Sequence, residues 1–352
     1  MVAKLATLGA LLQLATAALG AATRKKYSFK PENEVTYQNA HVPALINITK
    51  SQYDYEGGSS WWMSSFITST RGKQYLAIDH ILTAPKNVCR SSVLDLDTLD
   101  YWVDLVYCSA KSDRTINSGG PINADFGTHG FVSTSDDSVS KMYAYADTNA
   151  SFAFNISWQA TSKLVLNGGA GTIAFGPGPT NATEWGLPAG KTTGSLTLNG
   201  TDVDIDPKNS FTWYDRQISY GAPRNWTWFQ LHFPGSDIKA SIWAFKMGPP
   251  DDTTYQFATV RQGDSQLVLA YNLIPDMKNT WTSPNSGLVY PLSWRLEFEN
   301  GDYVVVKSVR PDQEMYGPED LVDSAYEGFI TASGKFFGQK KGFGVVELVT
   351  VY

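Results

Sequence analysis

The sequence predicts an all-β protein, and three observations carry that expectation. Segments rich in aromatic and β-branched residues recur at short spacing along most of the chain. Glycine, proline and asparagine punctuate them as turns, and stretches with helical period are scarce. Aromatic residues make up 13% of the chain, with 11 Trp and 18 Tyr, which suits pleated, half-buried surfaces and a site for a flat apolar ligand.

The chain opens with Lys4, a mostly apolar run from Leu5 to Leu19, and the small residues Gly20, Ala21 and Ala22. A basic flank, a short apolar core and a small-residue end describe a secretory signal peptide, cleaved after Gly20 or Ala22. The run is short for a bilayer span, and the competing reading is a buried N-terminal helix. No later stretch looks transmembrane, so a soluble mature chain in the secretory route is expected. Arg24, Lys25 and Lys26 read as a solvated tail.

Ser59 to Thr70 and Gln74 to Leu82 read as a hairpin about the turn Thr70-Arg71-Gly72-Lys73. Strands are expected next at Tyr101–Tyr107, Gly130–Ser133, Ser140–Ala146, Ser151–Trp158, Lys163–Leu166 and Gly171–Phe175. Gly194–Leu198 and Thr201–Ile205 flank Asn199-Gly200, a strong hairpin signal. A domain boundary is expected near Asp206 to Asn209. It separates an N-terminal β-domain (21–207, after a signal peptide at 1–20) from a C-terminal β-domain (208–352). Beyond it come Phe211–Ile218, Trp226–Phe233, Ile238–Phe245, Tyr255–Arg261, Ser265–Asn272, Ser293–Glu299, Tyr303–Arg310, Phe329–Ser333 and Gly344–Val351. Many short strands of this kind form a barrel or sandwich in each half.

Six Asn-x-Ser/Thr acceptors agree with export: Asn47, Asn149, Asn155, Asn181, Asn199 and Asn225. The chain has two cysteines, Cys89 and Cys108, and an oxidising route makes a disulfide between them the simplest reading. The net charge is −6 with no Lys/Arg stripe, which argues against nucleic acid as a partner. The four histidines, His41, His80, His129 and His232, are far apart and no closely spaced cysteine set exists, so no metal site is expected. Neither a nucleotide-binding glycine loop nor a Gly-x-Ser-x-Gly elbow is present, and no cofactor is implied. The oligomeric state is not legible.

Side chains alternate along a strand. His80 therefore shares a face with Leu76 and Ile78, while Asp79 shares the other with Tyr75 and Ala77. In Trp213-Tyr214-Asp215-Arg216-Gln217, Trp213, Asp215 and Gln217 fall on one face, with Tyr214 and Arg216 on the other. Arg216 either pairs with a carboxylate structurally or holds a ligand oxygen. Trp226, Trp228, Gln230 and His232 alternate on the next strand as an aromatic wall with an amide and an imidazole, and Trp243 extends it. An ordinary aromatic sheet face is the alternative.

Several segments together resemble the lipocalin-like, two-domain family that includes the bacterial hydroxyneurosporene hydratases. They are the pair Trp61-Trp62 with Tyr75, the segment Trp213 to Gln217, and Tyr326-Glu327-Gly328 with Ser333-Gly334, Gly342-Phe343-Gly344 and Glu347. Ile218 and Ser219 stand where a Trp-Gly pair often follows in that family. The resemblance is nearest to a secreted fungal branch with kievitone hydratase-like proteins and natural-product hetero-Diels–Alderases. It implies a two-domain lipocalin-like architecture of barrel or sandwich halves and a cofactor-free secondary-metabolite enzyme. That enzyme would remove water from a hydroxymethyl precursor to form a quinone methide and join it to a terpene alkene. The hydrophobic substrate would be a terpenoid, a polyketide or a prenylated aromatic.

On this reading Arg216, His232, Asp215 and His80 are candidate catalytic residues, and Trp213, Tyr214, Trp226, Trp228, Gln230 and Trp243 bind substrate. Hydration of a prenylated flavonoid, a non-catalytic carrier of apolar metabolites and a carbohydrate-acting enzyme are the alternatives.

Overall fold

Alternation is visible wherever one strand face meets the core. In Phe152–Gln159, Phe152, Phe154, Ile156 and Trp158 are buried, and the alternate residues Ala153, Asn155, Ser157 and Gln159 are half-buried or exposed. The computed structural model describes residues 26–39, 41–53, 57–83, 86–110, 120–148, 151–250, 252–317 and 324–350. The expected signal peptide and the acceptor Asn149 lie outside them.

The first sheet has 13 strands. They are β1 (Gly58–Thr68), β2 (Gln74–Thr83), β3 (Val88–Asp95), β4 (Tyr101–Tyr107), β5 (Asn123–Asp125), β6 (His129–Ser133) and β7 (Lys141–Asp147). Next come β8 (Phe152–Gln159), β9 (Val165–Leu166), β10 (Thr172–Ala174), β11 (Asn181–Leu198), β12 (Thr201–Asp204) and β13 (Phe211–Ser219). The main order is β4-β3-β2-β1-β13-β11-β8-β7-β6-β5, and β9, β10 and β12 pair with β11. The long β11 turns the sheet: its register with β13 shifts between Leu187 and Gly190, around Pro188, which has no N–H to give the ladder. The sheet curls on itself, so Trp158 of β8 packs on Tyr214 of β13.

The second unit uses β14 (Asn225–His232), β15 (Ile238–Lys246), β16 (Thr254–Gln262), β17 (Ser265–Pro275), β18 (Thr280–Thr282) and β19 (Val289–Pro291). It continues through β20 (Ser293–Phe298), β21 (Tyr303–Ser308), β22 (Glu314–Met315), β23 (Ala325–Phe336) and β24 (Gln339–Thr350). The order β21-β20-β17-β16-β15-β14-β24-β23 returns to β21 and closes a barrel.

Three apolar layers result. One fills the curl of the first sheet, with Trp61, Trp158, Trp185 and Tyr214, and one fills the barrel, with Phe229, Trp294 and Tyr326. The third lies between the sheets and joins Trp62, Phe66, Phe211 and Trp213 to Trp228, Trp243, Phe329 and Phe343.

The all-β expectation holds, and β13, beyond residues 206–209, belongs to the first sheet. β13 lies between β1 and β11, and the chain enters the barrel only after Ser219. β3 was not expected at all. A disulfide joins Cys89 on β3 to Cys108 just beyond β4. The five described glycan acceptors, Asn47, Asn155, Asn181, Asn199 and Asn225, are all exposed. Among the described residues no helix is long and apolar enough to cross a membrane.

Of the expected solvated tail, Arg24 and Lys25 lie outside the described residues, and Lys26 is exposed, its Nζ donating to Gly72 O at 2.7 Å. Residues 26–39 run as an extended strap across both units. Tyr27 exchanges hydrogen bonds with the Gln74 amide, and Glu32 N–H donates to Ala189 O. Phe29 is buried against Phe66, Phe211 and Phe343.

Candidate active site between the two sheets

Strand register sets two transverse rows face to face in the layer between the sheets. In the first sheet Arg90, His80, Trp62, Asp215 and Gly186 stand side by side on β3, β2, β1, β13 and β11. In the barrel Glu327, Glu347, Trp228 and Trp243 do so on β23, β24, β14 and β15. The rows meet directly. Trp62 Nε1 donates to Glu327 Oε2 at 2.8 Å, and the Trp62 and Trp228 rings meet edge to face at 5.1 Å.

Gly186 makes room for the first row, because a Cβ there would stand 3.0 Å from the Trp213 ring and from Asp215 Oδ2. Trp213 Nε1 donates to that same Oδ2 at 3.0 Å. Glu184 lies two residues earlier on the same face of β11. Its Oε1 accepts from Asn167 Nδ2 at 2.8 Å, and the carboxyl lies beside the Trp243 indole.

Arg90 organises the charge. Its Nε donates to His80 Nδ1 at 3.0 Å, and its second guanidinium nitrogen lies 2.8 Å from Glu327 Oε1 and 3.3 Å from Glu347 Oε1. With Nδ1 accepting, the proton of His80 sits on Nε2, which lies 2.8 Å from Ser60 Oγ. Burial and then Arg90 push His80 down to about 4, so the imidazole is neutral near pH 7. His80, Glu327 and Glu347 are also a donor set for a metal ion, and the Arg90 guanidinium lies among the three.

The carboxyl groups divide sharply. Burial alone would raise Glu327, but Arg90 and then His80 bring it down to about 2. Burial and the neighbouring Glu327 charge raise Glu347 to about 8. Burial raises Asp215 to about 7 against the Trp213 hydrogen bond. Burial, then Asp215 and Glu347, holds Glu184 well above the usual carboxyl range. Asp215 and Glu347 each keep 7% exposure whereas Glu327 keeps none, so the two carboxyl groups raised toward neutrality are less completely enclosed than the ionised one.

The candidate residues from the sequence fall into three groups. Asp215, His80, Trp213, Trp226, Trp228, Gln230 and Trp243 face the layer between the sheets. Arg216 and Tyr214 do not. They point into the curl of the first sheet, as the period of two requires once Asp215 faces the site. There the Arg216 guanidinium donates to Ser60 O, Tyr53 O and Ser59 Oγ over the Trp61 ring, and Tyr214 donates to Gln52 Oε1. His232 faces the layer away from the carboxyl groups, ringed by Phe66, Phe211, Trp213 and Phe343. Burial, then Lys239 and Arg261, holds it well below its usual range, which leaves it neutral and ill-suited to proton transfer near pH 7.

Arg90, Glu184, Glu327 and Glu347 were not among the candidates. Each is a charged residue inside a strand, which is costly when buried unless paired; Glu327 and Glu347 stand beside apolar residues and could have been found that way, whereas Arg90 is masked by Ser91 and Ser92.

Residues 91–352 match the AttH-like family. Kievitone hydratase of Fusarium solani subsp. phaseoli is 38% identical over 343 residues, covering 95% of this chain and 94% of that protein. Dehydratase asqC of Emericella nidulans is 34% identical over 342 residues, covering 94% of this chain and 96% of that protein. The crystal structure of kievitone hydratase from Nectria haematococca matches with a TM-score of 0.85 at 39% identity, over 92% of this chain and 98% of that one. A putative AttH from Nitrosomonas europaea shares the fold, with a TM-score of 0.71 at 18% identity over 88% of this chain and 98% of that one.

Proposed function

This chain belongs to the AttH-like family and has a hydratase and a dehydratase among its relatives, and from the carboxyl rows we propose that it is an acid–base hydro-lyase of secondary metabolism. Its substrate is a hydrophobic, conjugated small molecule bearing oxygen, and its place is in the secretory route. The observation that carries the reading is that Asp215 and Glu347 are buried in facing rows lined by indoles, where burial pushes them up to about 7 and about 8. Near neutral pH one is available as a base while the other still holds its proton.

In the dehydration direction, Glu347 gives its proton to the departing hydroxyl as the C–O bond breaks, and water leaves. Asp215 takes a proton from the substrate. The electrons of that bond form the new double bond or, from a ring hydroxyl, the carbonyl of a quinone methide. Hydration is the reverse: Asp215 protonates carbon and Glu347 accepts the proton of the attacking water. The ionised Glu327, fixed by Arg90, keeps Glu347 protonated. Trp62, Trp213, Trp228 and Trp243 form the walls.

Those indoles also favour a second, finer reading. A quinone methide formed here could be held face to face with a terpene alkene for a stereoselective hetero-Diels–Alder addition. Hydration of a prenylated flavonoid uses the same two carboxyl groups in reverse.

The test is a product assay with a hydroxymethyl tropolone, alone and with a humulene-type alkene, and with a prenylated isoflavonoid. A product one water lighter or heavier that disappears in Asp215→Asn and Glu347→Gln supports the hydro-lyase. A single-stereoisomer adduct above background supports the cycloaddition. Saturable binding without conversion of any substrate points to a carrier.

A further inference from the structure

Away from the carboxyl rows, the layer between the sheets carries a second polar group that the proposed reaction does not use. His232, Lys239 and Arg261 are register partners on β14, β15 and β16, so they stand in one row on the face turned toward the first sheet. Lys239 and Arg261 are both buried, at 6% and 2% exposure, and share one close carboxylate, Glu32 of the strap. Glu32 Oε1 lies 3.0 Å from Lys239 Nζ and 2.6 Å from Arg261, whose same nitrogen lies 2.7 Å from Oε2. Asp237 and the exposed Asp264 act on the pair only at longer range, and Asp264 is itself paired with Lys163. Two buried cations against one close carboxylate leave a positive balance.

Two buried donors in this row also have no acceptor among the described residues: His232 Nδ1 and Arg261 Nε. The tautomer of His232 follows from its neighbours. Ser64 Oγ donates to Gln230 Oε1 at 3.1 Å, so the Gln230 amide turns its NH2 toward His232 Nε2, 3.2 Å away. The ring proton is thereby left on Nδ1. Buried donors without acceptors are costly, and they are rare unless something occupies the site when the protein works.

We propose that His232, Lys239 and Arg261 form an anion subsite that receives an ionised oxygen of the substrate, a phenolate, enolate or carboxylate, with Glu32 as its resident counter-ion. The subsite rests on the hydro-lyase reading only in placing the substrate between the sheets. It selects anionic over neutral conjugated substrates and fixes which end of the molecule lies toward the carboxyl rows.

The experiment measures binding of 2-naphthoate and 2-naphthamide to the purified mature chain by tryptophan fluorescence. Wild type should prefer naphthoate by about tenfold or more, the scale of a charge-assisted hydrogen bond. Lys239→Met should erase the preference without weakening naphthamide, and Glu32→Gln should increase it. Added chloride should weaken naphthoate alone, a measurement on the wild type that stands even if the variants fail to fold. Equal binding of the two probes, or a preference unchanged in Lys239→Met and insensitive to chloride, overturns the subsite. That outcome leaves the hydro-lyase reading intact, because the latter depends on water exchange in Asp215→Asn and Glu347→Gln. Binding of neither probe overturns the subsite as well.

Discussion

Arg90 and Glu327 form a fully buried ion pair that crosses from the first sheet to the barrel, with 2.8 Å between guanidinium nitrogen and carboxylate oxygen. Removing one partner leaves the other charge buried and unpaired, at a cost of about 3–5 kcal/mol. Arg90→Gln and Glu327→Gln should each lower the unfolding free energy measured by urea titration by that order, and the double variant should lose less than the sum of the two. Additive losses would show that the pair is not coupled.

The same pair sets the proton affinity of Glu347, and the sign is opposite for its two members. Glu327 raises Glu347, and Arg90 lowers it. The turnover profile should rise with pH as Asp215 ionises near 7 and fall as Glu347 ionises near 8. Glu327→Gln should move the falling limb to lower pH. Asp215→Asn should remove the rising limb and cut the rate by about 10²–10⁴-fold, the usual contribution of a positioned acid or base. A flat profile from pH 6 to pH 9 would remove both groups from the chemistry.

Folding stability should follow the same titrations. The folded pKa values of Asp215 and Glu347 are raised, so the native state binds more protons than the unfolded chain between about pH 4 and the folded values. Their contribution is fully present below the unfolded pKa and is lost as pH rises through about 7 and about 8. Glu327 works the other way: its depressed pKa stabilises the fold above about pH 4, and that is lost only as pH falls toward about 2. Below about pH 6.5 the lowered pKa values of His80 and His232 oppose the loss at Asp215 and Glu347, so thermal midpoints should decline from about pH 6.5 to about pH 8, and Glu347→Gln should flatten the decline. An unchanged slope in that variant would assign the decline to other groups.

Much of this arrangement is legible in the strand period. The alternation along Trp226, Trp228, Gln230 and His232 and along Trp213 and Asp215 places each on the face it occupies, because one face of each strand is buried against the other sheet. Partners across strands are not legible, since period two says nothing of register. Glu327 and Glu347 stand in the segments that resemble the family, yet the register of the β23–β24 hairpin is what sets them beside each other, and β3 brings Arg90 between them. β3 escaped notice because Arg90-Ser91-Ser92 interrupts its apolar character, and those polar groups are buried against partners contributed from far along the chain. The intrinsic pKa of His232 suggested proton transfer, but its aromatic surroundings exclude the charged form.

Arg216 is the sharpest case of a residue whose type suggests chemistry and whose surroundings give it another task. Its guanidinium is fully buried, donates to Ser59, Ser60 and Tyr53, and lies 4.2 Å from the Trp61 ring centroid, so it ties the start of β1 and the chain before it to β13. Asp215, next in sequence, faces the opposite side. Arg216→Lys keeps the charge but cannot reproduce the planar fork of donors, and should cost about 2–3 kcal/mol. Among molecules that remain folded, turnover and both limbs of the pH profile should match the wild type. Turnover measured per folded protein, with the folded fraction taken from near-ultraviolet dichroism, separates the two roles. A rate loss beyond the folded fraction, or a displaced limb, would return Arg216 to the reaction.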